Sequence, residues 1–317
     1  MEHHEQGATQ NQLSQNQLLM QQTATALKTC GYQTHLLARN CFDIIARGPH
    51  TLLIKILTNA NAFSNVYVHE LQQICAYMHA SPLIVAENAG AILNEGVIYS
   101  RLGVSVISLE TLKMALKHRA PSMISTNAGI AIGIDGPKLK QLREAQGLSL
   151  QQLAFRLGVS RRMVARYETN FTEMTLPRAQ RLLNLFGDQI FHKIDVFDHR
   201  HRDAKHVMHD TSSPLTTKYF QLGFHALNTQ HAPFDILARR QTPEEHQEEP
   251  IPDIIFTAVG DRHKPGLHDM AKLFDAHSLY IFHRQRPSVH EEIPTLSQTE
   301  FMRFHQYGDL MDFLREF

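Results

Sequence analysis

Twenty consecutive residues, Ser149 to Glu168 (SLQQLAFRLGVSRRMVARYE), constrain this chain more than any other stretch. Leu150, Leu153, Ala154 and Leu157 have the spacing that puts apolar side chains on one face of a helix. Gly158 interrupts the pattern, Val159 supplies an apolar plug, and Ser160 stands where an N-cap would start a second helix. In that second helix Val164 and Tyr167 point one way, and Arg161, Arg162 and Arg166 another. Two short helices joined at a glycine, the second apolar beneath and basic outside, describe a helix-turn-helix. Cationic side chains near the N-terminus of the second helix can reach both the phosphates and the guanine edges of a major groove.

The surrounding charge agrees. Between Pro137 and Lys193 lie ten basic residues (Lys138, Lys140, Arg143, Arg156, Arg161, Arg162, Arg166, Arg178, Arg181, Lys193) against four acidic ones (Glu144, Glu168, Glu173, Asp188), a net +6. The whole chain, with 31 basic and 31 acidic residues, is neutral. A positive island in a neutral protein is the electrostatic footprint of a nucleic-acid module.

The stretch KLKQLREAQGLSLQQLAFRLGVSRRMVARYE has Leu153-Ala154, Gly158-Val159-Ser160 and Glu168 at the spacing of one family. Leu139 to Phe186 resembles the Cro/C1-type helix-turn-helix domain. The resemblance implies a five-helix bundle in which a first-helix arginine, here Arg143, pairs with the glutamate ending the recognition helix, here Glu168. The chain departs just afterwards, with Thr169-Asn170-Phe171 where the family has a residue and then glycine. Asparagine tolerates the left-handed conformation of a helix C-cap, so a turn is still expected there. The whole chain also resembles a group of archaeal proteins described as helix-turn-helix transcriptional regulators.

At 317 residues and 43% hydrophobic content, two or three domains with real cores are expected. No run approaches the roughly eighteen apolar residues of a membrane span, and MEHHEQGATQNQ lacks the layout of a signal peptide. Cys30, Cys41 and Cys75 have neither metal nor disulfide spacing, which fits reduced thiols in a cytoplasmic protein.

In chain order, residues 1–13 are a polar, glutamine-rich lead, followed by an amphipathic helix stopped at Gly31. Strand-like runs at Tyr32–Leu37, Phe42–Ala46 and Leu52–Leu57, a helix near Val66–His79, strands at Pro82–Ala86 and Gly103–Ile107 and a helix at Leu109–Lys117 predict an α/β domain over 14–120. Asp43 on one strand and Lys55 on the next resemble part of the restriction-endonuclease-like metal site, which uses an aspartate and then Glu-x-Lys. In that superfamily the carboxylates hold Mg²⁺ and the lysine positions or activates water. Here the glutamate position is Leu53, so the resemblance implies a degenerate site; Asp43 pairing with Lys55, or capping a turn, is the structural alternative.

The C-terminal segment LGFHALNTQHAPFDILAR repeats CGYQTHLLARNCFDIIAR: Gly31, Phe42, Asp43, Ala46 and Arg47 recur 192 residues later as Gly223, Phe234, Asp235, Ala238 and Arg239. A strand at Asp253–Val259, a helix at Leu267–Phe274 and a strand at Leu279–Phe282 follow, predicting a second related α/β domain over 214–317 by duplication. Its strand DIIFTAVG sets Thr257 where Lys55 would align, so the lysine is also expected to be missing. Residues 121–136 read as a linker or an irregular strand pair, and 137–195 as the DNA-binding bundle. The linker 196–213 carries His199, His201, His206 and His209, a solvated hinge or a weak metal site, and Pro243–Asp253 is an acidic loop.

The sequence therefore predicts an α/β plus all-α protein, two degenerate nuclease-like domains flanking a helix-turn-helix. The function expected is sequence-specific regulation of transcription on double-stranded DNA, with no catalysis, cofactor, metal or membrane, and with a homodimer allowed. Arg161, Arg162 and Arg166 would enter the groove, Ser149, Gln151 and Ser160 would reach phosphates, and Arg143 with Glu168 would hold the bundle. Two rivals stand beside it: a metal-dependent nuclease guided by the helix-turn-helix, and a protein-docking module whose DNA contact is incidental. The residues name no operator and no effector.

Overall fold

The computed structural model describes residues 2–37, 40–127, 129–169, 172–198, 212–240, 253–261, 264–286 and 293–317, with side chains from residue 15. The elements in order are α1 (Glu2–Thr29), β1 (Gln33–Leu36), β2 (Ile44–Arg47), β3 (Thr51–Asn59), α2 (Asn65–Met78), β4 (Ser81–Asn88), β5 (Val97–Arg101), β6 (Val104–Ile107), α3 (Leu109–Leu116), β7 (Met123–Thr126) and β8 (Gly129–Ile134). Then come α4 (Gly136–Ala145), α5 (Leu150–Leu157), α6 (Arg161–Thr169), β9 (Thr172–Thr175), α7 (Leu176–Phe186) and a 3₁₀ turn (Asp188–Ile190). The last part holds α8 (Pro214–Gln221), β10 (Phe224–Asn228), β11 (Ile236–Arg240), β12 (Ile254–Val259), α9 (Leu267–Leu273), β13 (His277–Phe282), β14 (Thr295–Ser297), α10 (Gln298–Phe301) and α11 (Tyr307–Arg315). Helix α1 already starts at Glu2, so the polar lead is helical, as its Glu, Gln and Ala content allows. Among the described residues no helix is long and apolar enough to cross a membrane.

The chain folds into two compact units, one of residues 1–56, 62–83 and 197–317, the other of 57–61 and 84–196. In the first unit β1, β2 and β3 form an antiparallel meander, with Gln33 opposite Arg47 and Ile44 opposite Ile54. Strands β10, β11 and β12 form another, with His225 opposite Arg239 and Ile236 opposite Thr257. Strands β13 and β14 extend the second meander in parallel. The buried faces are continuous apolar runs: Ile44, Ile45, Leu52 and Leu53 are fully buried in one meander, and Ile255 and Phe256 in the other. Tyr219, Phe224, Phe301 and Leu310 complete the C-terminal core.

In the second unit β5 pairs with β6 and lies parallel to β7, and β7, β8 and β9 form an antiparallel ribbon. Strands β7 and β8 show that 121–136 holds a strand pair, the second of its two sequence readings. Helices α4, α5 and α6 are inserted between the paired strands β8 and β9, and α7 follows. Leu139, Leu153, Leu157, Val164, Leu182 and Ile190 are fully buried where these helices meet.

The expectation of a five-helix bundle is corrected here: among the described residues this region has four α-helices, α4–α7, and a 3₁₀ turn. Strand β9 takes the place after α6. Thr172, Met174 and Thr175 suit an extended chain, Met174 is buried, and β8 offers an open edge for pairing. Asn170 and Phe171, the expected C-cap turn, lie outside the described residues, as do the linker histidines His199, His201, His206 and His209 and all of the acidic loop before Asp253.

Candidate nucleic-acid interface

Helix α5 begins at Ser149, whose hydroxyl accepts the Gln152 N–H while the Gln152 side chain accepts the Ser149 N–H, a complete capping box. It ends at Gly158, held at φ 68° in the left-handed region, where a side chain would be strained. A Cβ there would also meet the Arg181 guanidinium, which donates to the Leu157 carbonyl at 2.7 Å. Arg181 counted toward the basic island in the sequence, yet it caps the last turn of α5.

Helix α6 begins after Ser160, whose hydroxyl accepts the Met163 N–H at 3.2 Å. Its inner face buries Val164, Tyr167 and Glu168. The Glu168 carboxylate accepts Arg143 Nε at 2.5 Å and Nη2 at 3.0 Å, a bidentate pair whose side chains are only 5% and 9% exposed. Arg143 Nη1 also donates to the Leu148 carbonyl, so one guanidinium ties α4, the α4–α5 turn and α6 together. Its hydrogen bond to Glu168 holds the Arg143 pKa above the ordinary arginine value. Gly136 fits beneath the end of α6, where a Cβ would stand 2.4 Å from the Tyr167 carbonyl oxygen.

The outer surface differs from this inner face. Ser149, Gln151, Ser160, Arg161, Arg162 and Arg166 are all exposed, and none of the three arginines has a carboxylate partner among the described residues. Arg156 and Phe155 are exposed on α5, Phe155 at 86%, beside the positions the sequence singled out. An apolar residue off the helix's apolar stripe was the available signal for Phe155. The arrangement presents cations on one outer face and fixes them from below by an ion pair and an apolar core.

The second constellation lies in the α/β unit. Lys55 Nζ donates to Asp43 Oδ1 at 3.0 Å and to the Asn40 carbonyl at 2.7 Å, while Asp43 Oδ2 accepts the Ile56 N–H at 2.8 Å. Burial raises the Asp43 pKa above the usual aspartate value, with the Lys55 charge opposing that shift. Leu53, at the second carboxylate position, is fully buried in the sheet. The one nearby acid on α2, Glu70, spends one oxygen on the Gln230 and His231 N–H groups and the other on His231 Nδ1. These donors do not fit Mg²⁺, which needs several oxygens in near-octahedral geometry. No group of three or more His, Cys, Asp or Glu among the described residues is placed to hold a metal.

The C-terminal meander changes one sequence reading and adds a residue that the sequence reading missed. Ile236 faces Thr257 as Ile44 faces Ile54, so Thr257 corresponds to Ile54, and it is Ala258 that corresponds to Lys55. The strand position thus carries no lysine, yet an ammonium still reaches the aspartate. Lys264, beyond the end of β12, places Nζ 2.6 Å from Asp235 Oδ1, and Asp235 Oδ2 accepts the Val259 N–H at 2.6 Å. The Tyr280 hydroxyl holds the Lys264 backbone from both sides, donating to its carbonyl and accepting its N–H.

Comparison with known proteins finds matches to the two regions that hold these constellations. Residues 139–187 match the model of a helix-turn-helix family, and residues 16–121 that of a PD-(D/E)XK superfamily domain. A Pyrococcus horikoshii protein named "Putative HTH-type transcriptional regulatory protein" is 29% identical over 92% of this chain and 94% of its own length. Proteins given the same description from Thermococcus gammatolerans and Methanocaldococcus jannaschii are 26% and 25% identical over 86% and 88% of this chain, and over 87% and 90% of their own lengths. No solved structure matches. The chain is thus similar to a helix-turn-helix over 139–187 and to a PD-(D/E)XK superfamily domain over 16–121, and over most of its length to archaeal proteins named as helix-turn-helix transcriptional regulators.

Proposed function

We propose that this protein is a sequence-specific regulator of transcription that sets α6 in the major groove of double-stranded DNA. The carrying observation is the asymmetry of α6. Arg161, Arg162 and Arg166 are exposed and have no carboxylate partner among the described residues, while Glu168 on the same helix is locked to Arg143. Cations held at a helix surface with no acid nearby are poised for phosphates and guanine edges. Ser149 and Ser160 stand at helix N-termini, whose N–H groups favour phosphate, and Gln151 adds an exposed amide. The domain plan that goes with this reading is a bundle over 137–195 flanked by two related, non-catalytic α/β domains over 14–120 and 214–317. The matching strand registers support it. A cytoplasmic homodimer reading two half-sites about 34 Å apart fits a single recognition helix per chain.

The test is binding of the full chain to fragments selected from genomic DNA. Arg161→Ala or Arg162→Ala is expected to cost about 1–3 kcal/mol on the selected site, and less on random DNA, if each forks onto a guanine. Equal losses on both would reduce these residues to phosphate contacts. Failure to select any fragment, or binding indifferent to salt, would overturn the DNA-binding reading.

A further inference from the structure

The two halves of the first compact unit correspond in more than strand order. The pairs Gln33–Arg47, Thr34–Ala46, His35–Ile45 and Leu36–Ile44 recur as His225–Arg239, Ala226–Ala238, Leu227–Leu237 and Asn228–Ile236, every member shifted by 192. Beyond the hairpin the shift becomes 203, since Leu52, Leu53 and Ile54 face the positions that Ile255, Phe256 and Thr257 face in the other copy. Beyond the next helix it becomes 196. Ala80 N–H bonds the Cys75 carbonyl as Ala276 N–H bonds the Ala271 carbonyl, and His79 and Asp275 both take left-handed backbone, at φ 49° and 51°.

With this correspondence fixed, two long-range hydrogen bonds become the same bond made twice. Arg47 Nη1 donates to the Leu273 carbonyl at 2.6 Å, and Arg239 Nη1 donates to the Tyr77 carbonyl at 3.0 Å. Arg239 is the counterpart of Arg47, and Leu273, 196 residues on, is the counterpart of Tyr77. Each copy sends its arginine from the second strand to the last turn of the other copy's helix, where carbonyls lack intrahelical partners and the helix dipole favours a cation. Residue i touching j of the partner while j touches i is the defining property of a two-fold, isologous interface.

We infer that the surface formed by the end of β2 and the C-terminus of α2 is a self-recognition surface of this α/β fold, and that its partner is the second copy in the same chain. The chain is then an internal pseudodimer, a fused descendant of two identical subunits. The sides have since diverged. Arg47 also pairs with Asp275 at 2.9 Å, whereas His79 occupies that place opposite Arg239. Glu70 on α2 clasps the 230–231 turn, and its counterpart is Gly266, the residue that precedes α9, where His35 Nε2 lies 3.1 Å from where a Cβ would stand. Because this surface is filled within one chain, any pairing of two chains on DNA must use another face.

The inference rests on the proposed relatedness of the two domains, which the lysine relocation described in the Discussion tests separately. Amide hydrogen exchange is read across the full chain in Arg47→Ala and Arg239→Ala. The expected pattern is crossed: Arg47→Ala quickens exchange at the end of α9, around 274–276, by roughly tenfold, and Arg239→Ala does so at 79–80. If either alanine variant fails to fold, Arg47→Lys and Arg239→Lys, which keep charge but lose the planar reach of guanidinium, should give the same crossed pattern at smaller amplitude. Faster exchange confined to the mutated residue's own meander, or no change at the opposite helix end, overturns the self-recognition surface whatever the ancestry of the domains.

Discussion

Asp43 and Asp235 sit in one hydrogen-bond frame: each backbone N–H bonds across to the next strand, each Oδ2 accepts a strand N–H, and each Oδ1 takes a lysine. The lysines arrive by different routes. Lys55 comes from the strand itself, two residues past the Leu53 position, and Lys264 reaches back from beyond β12 while Ala258 fills the strand position. Burial differs as well, with side chains 12% and 14% exposed in the first pair and 30% and 36% in the second. Both meanders keep an aspartate, ion-paired to a lysine, that staples neighbouring strands, and among the described residues neither places beside it the second carboxylate a hard cation requires. A charge tie is the shared feature. The exposed arginines of α6 form the contrast, because none of the three has a carboxylate partner among the described residues.

The largest expected effect breaks the symmetry of the two pairs. Asp43→Ala leaves the Lys55 ammonium largely buried without its counter-charge, and such losses run to about 3–5 kcal/mol. Asp235→Ala leaves a lysine that is a third exposed, so water replaces much of the interaction and the cost should stay near about 1 kcal/mol. Urea unfolding of both variants measures the difference. Equal losses would mean that burial does not set the value of the tie, and a larger loss for Asp235→Ala would reverse the comparison.

A smaller effect sharpens it. Lys264→Ala should lower stability by about 1 kcal/mol, because the Asp235 carboxylate loses its cation but keeps the Val259 N–H. Adding Ala258→Lys moves the lysine to the strand position used in the first copy. If the two registers are equivalent, the double variant should recover most of the loss. Further destabilisation on adding Ala258→Lys would show that the side chain at 258 does not face Asp235, and would remove the structural support for relatedness.

Much of the helix-turn-helix was legible because its signals are local. Ser149, Gly158 and Ser160 cap helices through bonds spanning a few residues, and Val164 and Tyr167 follow the helical period. Strand β9 was not legible, since Thr172–Thr175 is extended by virtue of β8, whose partner residues lie some forty positions earlier. Arg181 shows the same limit: composition counts its charge, and only the fold shows it spent on the Leu157 carbonyl. The proposed repeat was suggested by spacing, but the shift between the two meanders changes from 192 to 203 across the β11–β12 connection; the offset of 192 carries Lys55 only to Gln247, before β12, so the strand was aligned without a register, one residue short of Ala258. Arg47 and Arg239 stood out as repeated residues, and nothing in a linear pattern could show that each one reaches the other copy.

The smallest expected effect is that of divalent metal, and it bears on the nuclease rival that the PD-(D/E)XK match keeps in view. A metal-dependent nuclease relies on its cation to neutralise growing charge on the phosphate and to supply hydroxide near neutral pH. At Asp43 both oxygens are committed to Lys55 and the Ile56 N–H, and Leu53 is buried in the sheet; at Asp235 both are committed to Lys264 and the Val259 N–H. A cation approaching either carboxylate would have to displace an ammonium already at hydrogen-bond distance, and would keep most of its own water. Millimolar Mg²⁺ or Mn²⁺ should therefore stabilise the protein by less than about 0.5 kcal/mol, as weak binding to the folded state dictates. Supercoiled and branched DNA incubated with the protein and either metal should remain intact, with wild type and Asp43→Ala indistinguishable. Cleavage by the wild type that vanishes in Asp43→Ala would show that the lysine yields its place to a metal, and would put a guided nuclease ahead of a regulator.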